Sequence, residues 1–380
     1  MSNQTVSRPG IGRPPGARGK AKARPADRIF LGLSTGSAAL IMVILAAVAL
    51  FLIIQAAPAI VANWSDNPDL SKGATQGHAN FWSYVLPLIW GTLWSSVIAL
   101  IMGAPVAIGI ALFISHYAPR QLSGVLGYLV DLLAAVPSII FGLWGIFVIR
   151  PFLLPLSHWL NEYLGWFPLF GGPPSGTGAT MLAGSVVLAV MILPIITSIS
   201  REIFLQTPTL HEEAALALGA TKWEMVRYAV FPYARSGVVS DVLLRLGRAL
   251  GETMAIALVI SPSVIFSVRL LTDSQNSQTI AANLALNFPE ADQLQRQALT
   301  GTGLMLFVIA RAVNFVARAV ITRTGSPSRR GRRRISRLEP SAAAPLEDAA
   351  LSPLRRTDNR PERSNHESQD QEDRAEGDRE

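Results

Sequence analysis

The sequence predicts an all-α polytopic membrane protein with six transmembrane helices and both termini in the cytosol. Three observations carry this prediction. Hydrophobic residues make up 50% of the 380-residue chain and charged residues only 16%, a balance outside the range of ordinary soluble domains. Several apolar stretches reach roughly 20 residues, the length needed to cross a hydrocarbon core of about 30 Å. Basic residues gather from Arg8 to Arg28 and again, after the last apolar stretch, from Arg323 to Arg334. By the positive-inside rule both of these flanks are cytosolic.

The elements follow in order. Residues 1–28 are rich in Pro, Gly, Arg and Ala without apolar periodicity and read as a disordered tail. The first span covers 29–57 and stops at Pro58. Residues 58–83 carry Trp64, Asp66, Asp69 and Trp82 and lie outside. The second span, Tyr84–Ser115, contains Gly91, Gly103, Pro105 and Gly109, small or kinking residues that let membrane helices approach one another. His116–Gln121 is a short inner turn. The third span, Leu122–Ile149, holds Asp131, and Pro137 with Gly142 and Gly145 is expected to bend it or admit a neighbour.

Residues 150–179 read as an outer loop whose Trp159, Trp166, Phe167 and Phe170 suit the membrane interface. Its Gly171–Gly178 stretch lacks a Gly-Lys-Ser/Thr ending and reads as a flexible loop rather than a phosphate cradle. Thr180–Ser200 is the fourth span, 201–235 a long inner loop, and Gly237–Ser261 the fifth span. A polar outer segment with Asp273, Asn276, Gln278, Asn287 and Asp292 precedes the sixth span, Ala298–Thr322. Six crossings return the chain to the cytosol, in agreement with the second basic cluster. The tail 323–380 turns polar and acidic and reads as disordered.

The formal net charge of +7 does not signal nucleic acid, because the cations flank membrane spans rather than line one face. The absence of cysteine excludes disulfides, thiolate metal sites and cysteine nucleophiles. The five histidines, His78, His116, His158, His211 and His366, are too scattered to ligate a metal and read as surface or interface residues. No serine lies in a nucleophile elbow. Gly16–Ala21 has a Gly-Lys pair but no Ser or Thr after it and no strand before it. Nothing in the chain therefore predicts catalysis or a cofactor.

The inner loop carries Glu213-Ala214-Ala215-Leu216-Ala217-Leu218-Gly219, then nine residues, then Ala229-Val230-Phe231-Pro232. Glu212 and Glu213 suit the first turn of a short helix, the alanines and leucines favour it, and Gly219 is a fitting stop. This pattern resembles the EAA loop of the permeases of bacterial ABC importers, with Ala229 and Phe231 where that family has Ile and Leu. Gly91-Thr92-Leu93, Ala135-Val136-Pro137-Ser138, Gly142-Leu143-Trp144-Gly145 and Gly247-Arg248-Ala249-Leu250-Gly251-Glu252-Thr253 resemble the phosphate-specific members. The outer loop 150–179 and Met191-Ile192-Leu193-Pro194 are more similar to one of the two phosphate permease types than to the other.

The resemblance implies a type I importer permease fold in the cytoplasmic membrane, with a five-helix permease domain over 84–322. It implies a second, homologous permease subunit, cytosolic ATPase subunits, an extracytoplasmic phosphate-binding protein and inorganic phosphate as the solute. Glu213, Ala214, Ala215 and Gly219 are then the ATPase-coupling element, and ATP is hydrolysed on another chain.

The fifth span is unusual in carrying Asp241, Arg245, Arg248 and Glu252. At 100° per residue they fall at about 0°, 40°, −20° and 20°, one narrow stripe, and Asp241–Arg245 and Arg248–Glu252 are i,i+4 pairs. Four charges facing lipid would cost roughly 10–14 kcal/mol, so the stripe is expected to face protein or water. A planar guanidinium is suited to an oxyanion. The resemblance implies that Arg248 and Glu252 line the solute path, with Arg245 and Asp241 beside them. The plainer alternative is a pair of salt bridges that only fix packing. Arg311, inside the sixth span, is a further cation without an assigned role. The competing functions are a permease for sulfate or molybdate, a polytopic membrane enzyme, and a sensory scaffold.

Overall fold

The computed structural model describes residues 25–62, 64, 75 and 77–324. Of the tails 1–28 and 323–380 expected to be disordered, residues 1–24 and 325–380 lie outside the described residues, as do Asp66 and Asp69, while 25–28 and 323–324 belong to helices. The described chain is helical: α1 Pro25–Val61, α2 Phe81–Leu112, α3 Arg120–Ala134, α4 Ser138–Trp144, α5 Arg150–Leu164, α6 Met181–Leu205, α7 Thr209–Ala217, α8 Lys222–Met225, α9 Phe231–Leu250, α10 Met254–Val259, α11 Ile280–Asn287 and α12 Gln293–Thr324. Wider π turns extend α2 through Phe113–Tyr117, join α4 to α5 through Gly145–Ile149, and lead into α9 through Val226–Val230.

Capping sets several starts. Asn80 accepts from Ser83 N at 2.8 Å at the head of α2, and Thr180 accepts from Ala183 N at 3.1 Å at the head of α6. At α8, Thr221 and Glu224 form a reciprocal capping box. The N–H and hydroxyl of Thr221 both donate to the Glu224 carboxylate and hold its pKa below the ordinary value.

The packed centre is α2 against α6, with Ala99, Ala107, Leu188, Ile192 and Ile196 buried between them. Lipid is as apolar as these side chains, so close packing rather than water exclusion holds the pair. Helix α1 lies along α12, while α9 lies on α6 and α12. The outer face of α1 stays open, with Leu40, Met42, Phe51 and Ile54 exposed, as expected of a helix seated in lipid.

Among the described residues, five helical stretches are long and apolar enough to cross a membrane: Ile29–Val61, Phe81–Tyr117, Ser138–Leu164, Met181–Leu205 and Gln293–Ala319. The fifth expected span behaves differently. Charges lower the hydropathy of α9, and its helix ends at Leu250, with α10 starting only at Met254. At 20 residues α9 still has the length of a crossing, about 30 Å. In position and length α9 fits the fifth crossing of the expected six.

The third span is shifted from expectation. It breaks after Ala134, as Pro137 demands, and resumes at Ser138 as an unbroken helical path to Leu164. The outer loop expected from 150 thus begins only at Gly165, because Arg150–Leu164 keeps a helical pattern and tolerates Pro151 in its first turn. What remains is fastened rather than flexible. Ser175 Oγ accepts from Gly178 N at 2.9 Å and donates to Asp273 at 2.8 Å, and Ser175 N donates to Leu271 O at 2.9 Å.

The segment between α10 and α11 folds back over the outer end of α2. Trp90 Nε1 donates to Ser267 O at 2.9 Å, and Ile280 N donates to Thr92 Oγ1 at 3.0 Å. Between these anchors sits Gly91. A Cβ there would overlap the backbone carbonyl oxygens of Ser277 and Gln278, so the approach requires glycine.

Candidate functional site: a charged stripe and a projecting loop helix

The stripe of α9 runs from a packed end to an open one. Asp241 is 4% exposed and pairs with Arg245, Oδ1 to Nε at 3.0 Å, one helical turn away. Its second carboxylate oxygen is shielded and unpartnered. Arg248, about 10 Å further along the axis, is exposed and forms no ion pair among the described residues.

The expected Arg248–Glu252 pair is not formed. The helix stops at Leu250, where Gly251 N and Glu252 N turn back to Arg248 O and Ala249 O at 3.1 and 3.3 Å. Glu252 thereby leaves the stripe. It is 9% exposed, and its carboxylate accepts from Ala255 N at 3.3 Å in the first turn of α10. An acidic group suits the positive end of a helix. Arg248 is left with its fork of donors unengaged.

Helix α10 is clamped at its other end. Arg150, at the start of α5, donates from Nη2 to Leu258 O and Val259 O, both at 2.8 Å, and from Nε to Val259 O at 3.1 Å. Gly142 of α4 and Gly145, which opens the π turn after it, face Ala255, Leu258 and Val259, so this path and α10 run side by side in the same direction. Both interrupted helices therefore meet through their resumed halves. Nothing local in the sequence marks the partner of Arg150, which lies 109 residues away.

Replacing Arg150 with Met leaves the terminal carbonyls of α10 uncapped. Charged hydrogen bonds contribute about 1.5–3 kcal/mol each. Discounting for partial exposure, the melting temperature of the purified complex is expected to fall by roughly 4–8 °C, read by tryptophan fluorescence. An unchanged melting temperature would remove Arg150 from the framework of the site.

Helix α7, Thr209–Ala217, contains the Glu-Ala-Ala motif and has no buried residue. Its end has the geometry expected of Gly219, with φ +85°. Gly219 N donates to Leu216 O at 2.9 Å and Ala220 N to Ala215 O at 3.2 Å, closing the helix in a left-handed cap. The helix is moored to the bundle on one side. His116, at the inner end of the α2 path, meets Glu212 at 3.5 Å and packs edge-on to Phe204, while Ala215 joins the cluster of Phe204, Met225, Val226 and Val230. On the free side Leu210, Leu216, Leu218 and Trp223 are exposed, Leu218 at 90%. Leu210 and Leu216 stand on α7, Leu218 and Trp223 just beyond it, and together they leave an apolar cluster open to solvent. The scatter of histidines along the sequence hid the His116–Glu212 contact.

Other charges fall outside this arrangement. Asp131 accepts a hydrogen bond from Ser198 Oγ of α6. Arg311 is exposed with its guanidinium 5.2 Å from the Phe307 ring centre and pairs with neither Glu252 nor Asp131. Arg201, at the inner end of α6, has a shielded Nε without a partner. Among the described residues no group of His, Asp and Glu could hold a metal ion.

The sequence has relatives among known proteins. The family described as binding-protein-dependent transport system inner membrane component matches residues 103–325. The phosphate transport system permease protein PstC 2 of Mycobacterium tuberculosis is 44% identical over 301 residues, covering 78% of this chain and 92% of that protein. PstC of Mycobacterium leprae is 42% identical over 309 residues, covering 80% and 96%. PstC of Xylella fastidiosa is 40% identical over 321 residues, covering 81% and 94%.

Proposed function

This chain belongs to the family of binding-protein-dependent transport system inner membrane components, and we infer that it is a permease subunit of an ATP-driven phosphate importer. Relatives at 40–44% identity that it covers almost end to end are PstC proteins, and this observation carries the assignment. The chain is a multi-pass protein of the cytoplasmic membrane and not an enzyme, and ATP is hydrolysed by a separate ATPase subunit. It works with ATPase and binding-protein partners. More narrowly, the second permease is PstA-like, the ATPases PstB-like and the extracytoplasmic binding protein PstS-like.

The coupling role falls to Glu213, Ala214, Ala215 and Gly219. Helix α7 is stiff, capped at Gly219 and moored through Glu212, and it presents apolar side chains to the cytosol. A push on its free side is passed through the His116 contact and the Phe204 cluster to α2, α6 and α9. The solute path falls to Arg248, with Arg245, Asp241 and Glu252 as its setting. An exposed, unpaired guanidinium at the end of a helix offers a fork of donors to a phosphate oxyanion. The Asp241–Arg245 pair lies deeper and keeps the stripe in register. Glu252 fixes α10 rather than Arg248.

The test is uptake of labelled phosphate by vesicles holding the chain with its second permease, ATPase and binding protein. ATP-dependent uptake that resists excess sulfate and molybdate is expected. Uptake abolished by either competitor would give the path to another oxyanion instead. The lack of any ATP-dependent uptake by an assembled complex would overturn the transport reading and leave the sensory scaffold.

A further inference from the structure

On the outer side of the protein, α1 and α12 part around a cavity of about 570 Å³ that shares no residue with the charged stripe. Its α1 wall is Phe51 and Gln55. From Ala38 to the end of α1, Gln55 is the one side chain able to hydrogen-bond, and it opens onto this cavity. The opposite wall includes Phe288, Asp292, Arg296 and Gln297. On the topology set by the basic flanks, these residues lie two turns below the outer end of α1 and at the outer start of α12, the depth of lipid headgroups.

The charges on this wall are unspent. Asp292 and Arg296 stand one turn apart, acid first, the orientation that favours an ion pair. Their backbones are joined, Arg296 N to Asp292 O at 2.8 Å, yet their side chains form no ion pair. The Arg296 guanidinium lies 6.0 Å from the Phe288 ring centre, which steadies it without neutralising it. Gln297 Oε1 is shielded from solvent and has no partner. The cavity thus offers a cation and an anion that do not neutralise each other. One molecule carrying both a phosphate and an ammonium group satisfies both. A simple anion would leave Asp292 repelling it.

We propose that this cavity seats the headgroup of an outer-leaflet phospholipid of the ethanolamine type. The phosphate lies on Arg296, where a guanidinium fork binds it with charge-assisted hydrogen bonds. The ammonium lies on Asp292. The acyl chains run down the exposed face of α1 past Val48 and Ile44. This site is independent of the transport path.

The test uses the detergent-washed complex and mass spectrometry of its retained lipid. Phosphatidylethanolamine is expected to be enriched over phosphatidylglycerol relative to the source membrane. Asp292→Asn and Arg296→Gln are each expected to cut that enrichment by about tenfold, the loss of roughly one charge-assisted contact. Enrichment unchanged in both variants overturns the proposal. Equal retention of phosphatidylglycerol also overturns it, since no ammonium is then being read. Displacement of the lipid by millimolar inorganic phosphate overturns it in favour of a free-anion site. Should the variants fail to assemble, the wild-type complex in nanodiscs of either lipid decides. A higher melting temperature in phosphatidylethanolamine is expected, and equal melting temperatures overturn the proposal.

Discussion

Replacing Arg248 with Gln is expected to lower phosphate uptake by roughly ten- to hundredfold while the complex still assembles. The estimate rests on losing one charged donor set from the anion path, about 1.5–3 kcal/mol. Arg248 is exposed and pairs with no carboxylate among the described residues, so its removal leaves no buried charge behind. A purely structural salt bridge would show the reverse pattern, with poor assembly and little change in uptake per assembled complex. The decisive measurement is initial uptake normalised to complex recovered by size-exclusion chromatography. Near-normal normalised uptake would take Arg248 out of the path. Glu252→Gln provides the contrast. Its amide oxygen can still accept from Ala255 N, so a far smaller loss is expected than for Arg248.

Gly91→Val is expected to remove most folded protein from the membrane. The added side chain meets the carbonyl oxygens of Ser277 and Gln278, which are backbone and cannot swing aside. Overpacking typically costs about 1–3 kcal/mol, and a clash against backbone belongs at or above that range. Two flanking contacts, Trp90 to Ser267 and Ile280 to Thr92 Oγ1, would be strained together. Fluorescence-detected size exclusion should show a melting temperature lower by about 4 °C or more, or no monodisperse peak. Gly109→Val is the control, since no atom beyond its own stretch of helix lies within 4 Å of a Cβ built there. Equal behaviour of the two variants would show that the fold-back segment does not lie against Gly91.

The contrast between these residues shows what the sequence made legible. The apolar spans, the helix ending at Gly219 and the Asp241–Arg245 pair follow from composition, propensity and spacing over a few residues. The Arg248–Glu252 pair failed because an i,i+4 rule presumes an unbroken helix. The chain there contains Gly251, whose cost in a helix is small enough for tertiary packing to overrule. The clamp by Arg150 was beyond local reading, since a charge beside a proline at the end of an apolar run looks like a loop start. Its two acceptors, Leu258 O and Val259 O, are main-chain carbonyls far along the sequence and carry no side-chain signature. The opposite error occurred at Gly171–Gly178, where small residues suggested mobility. Ser175 and Asp273 supply the bonds that hold that loop.

The fold-back over Gly91 also has a biosynthetic consequence. A chain made from its N-terminus presents the outer end of α2 to the translocation machinery long before its cover exists. Ser267 and Ile280 are 177 and 188 residues downstream of their partners on α2. At about 5–20 residues per second, that interval is on the order of ten to forty seconds. For that time Trp90 and Thr92 must be shielded by lipid, water or an insertase. The outer face of this protein is therefore completed late, and truncation before Ser267 should leave α1 to α10 able to insert but with the outer end of α2 uncovered.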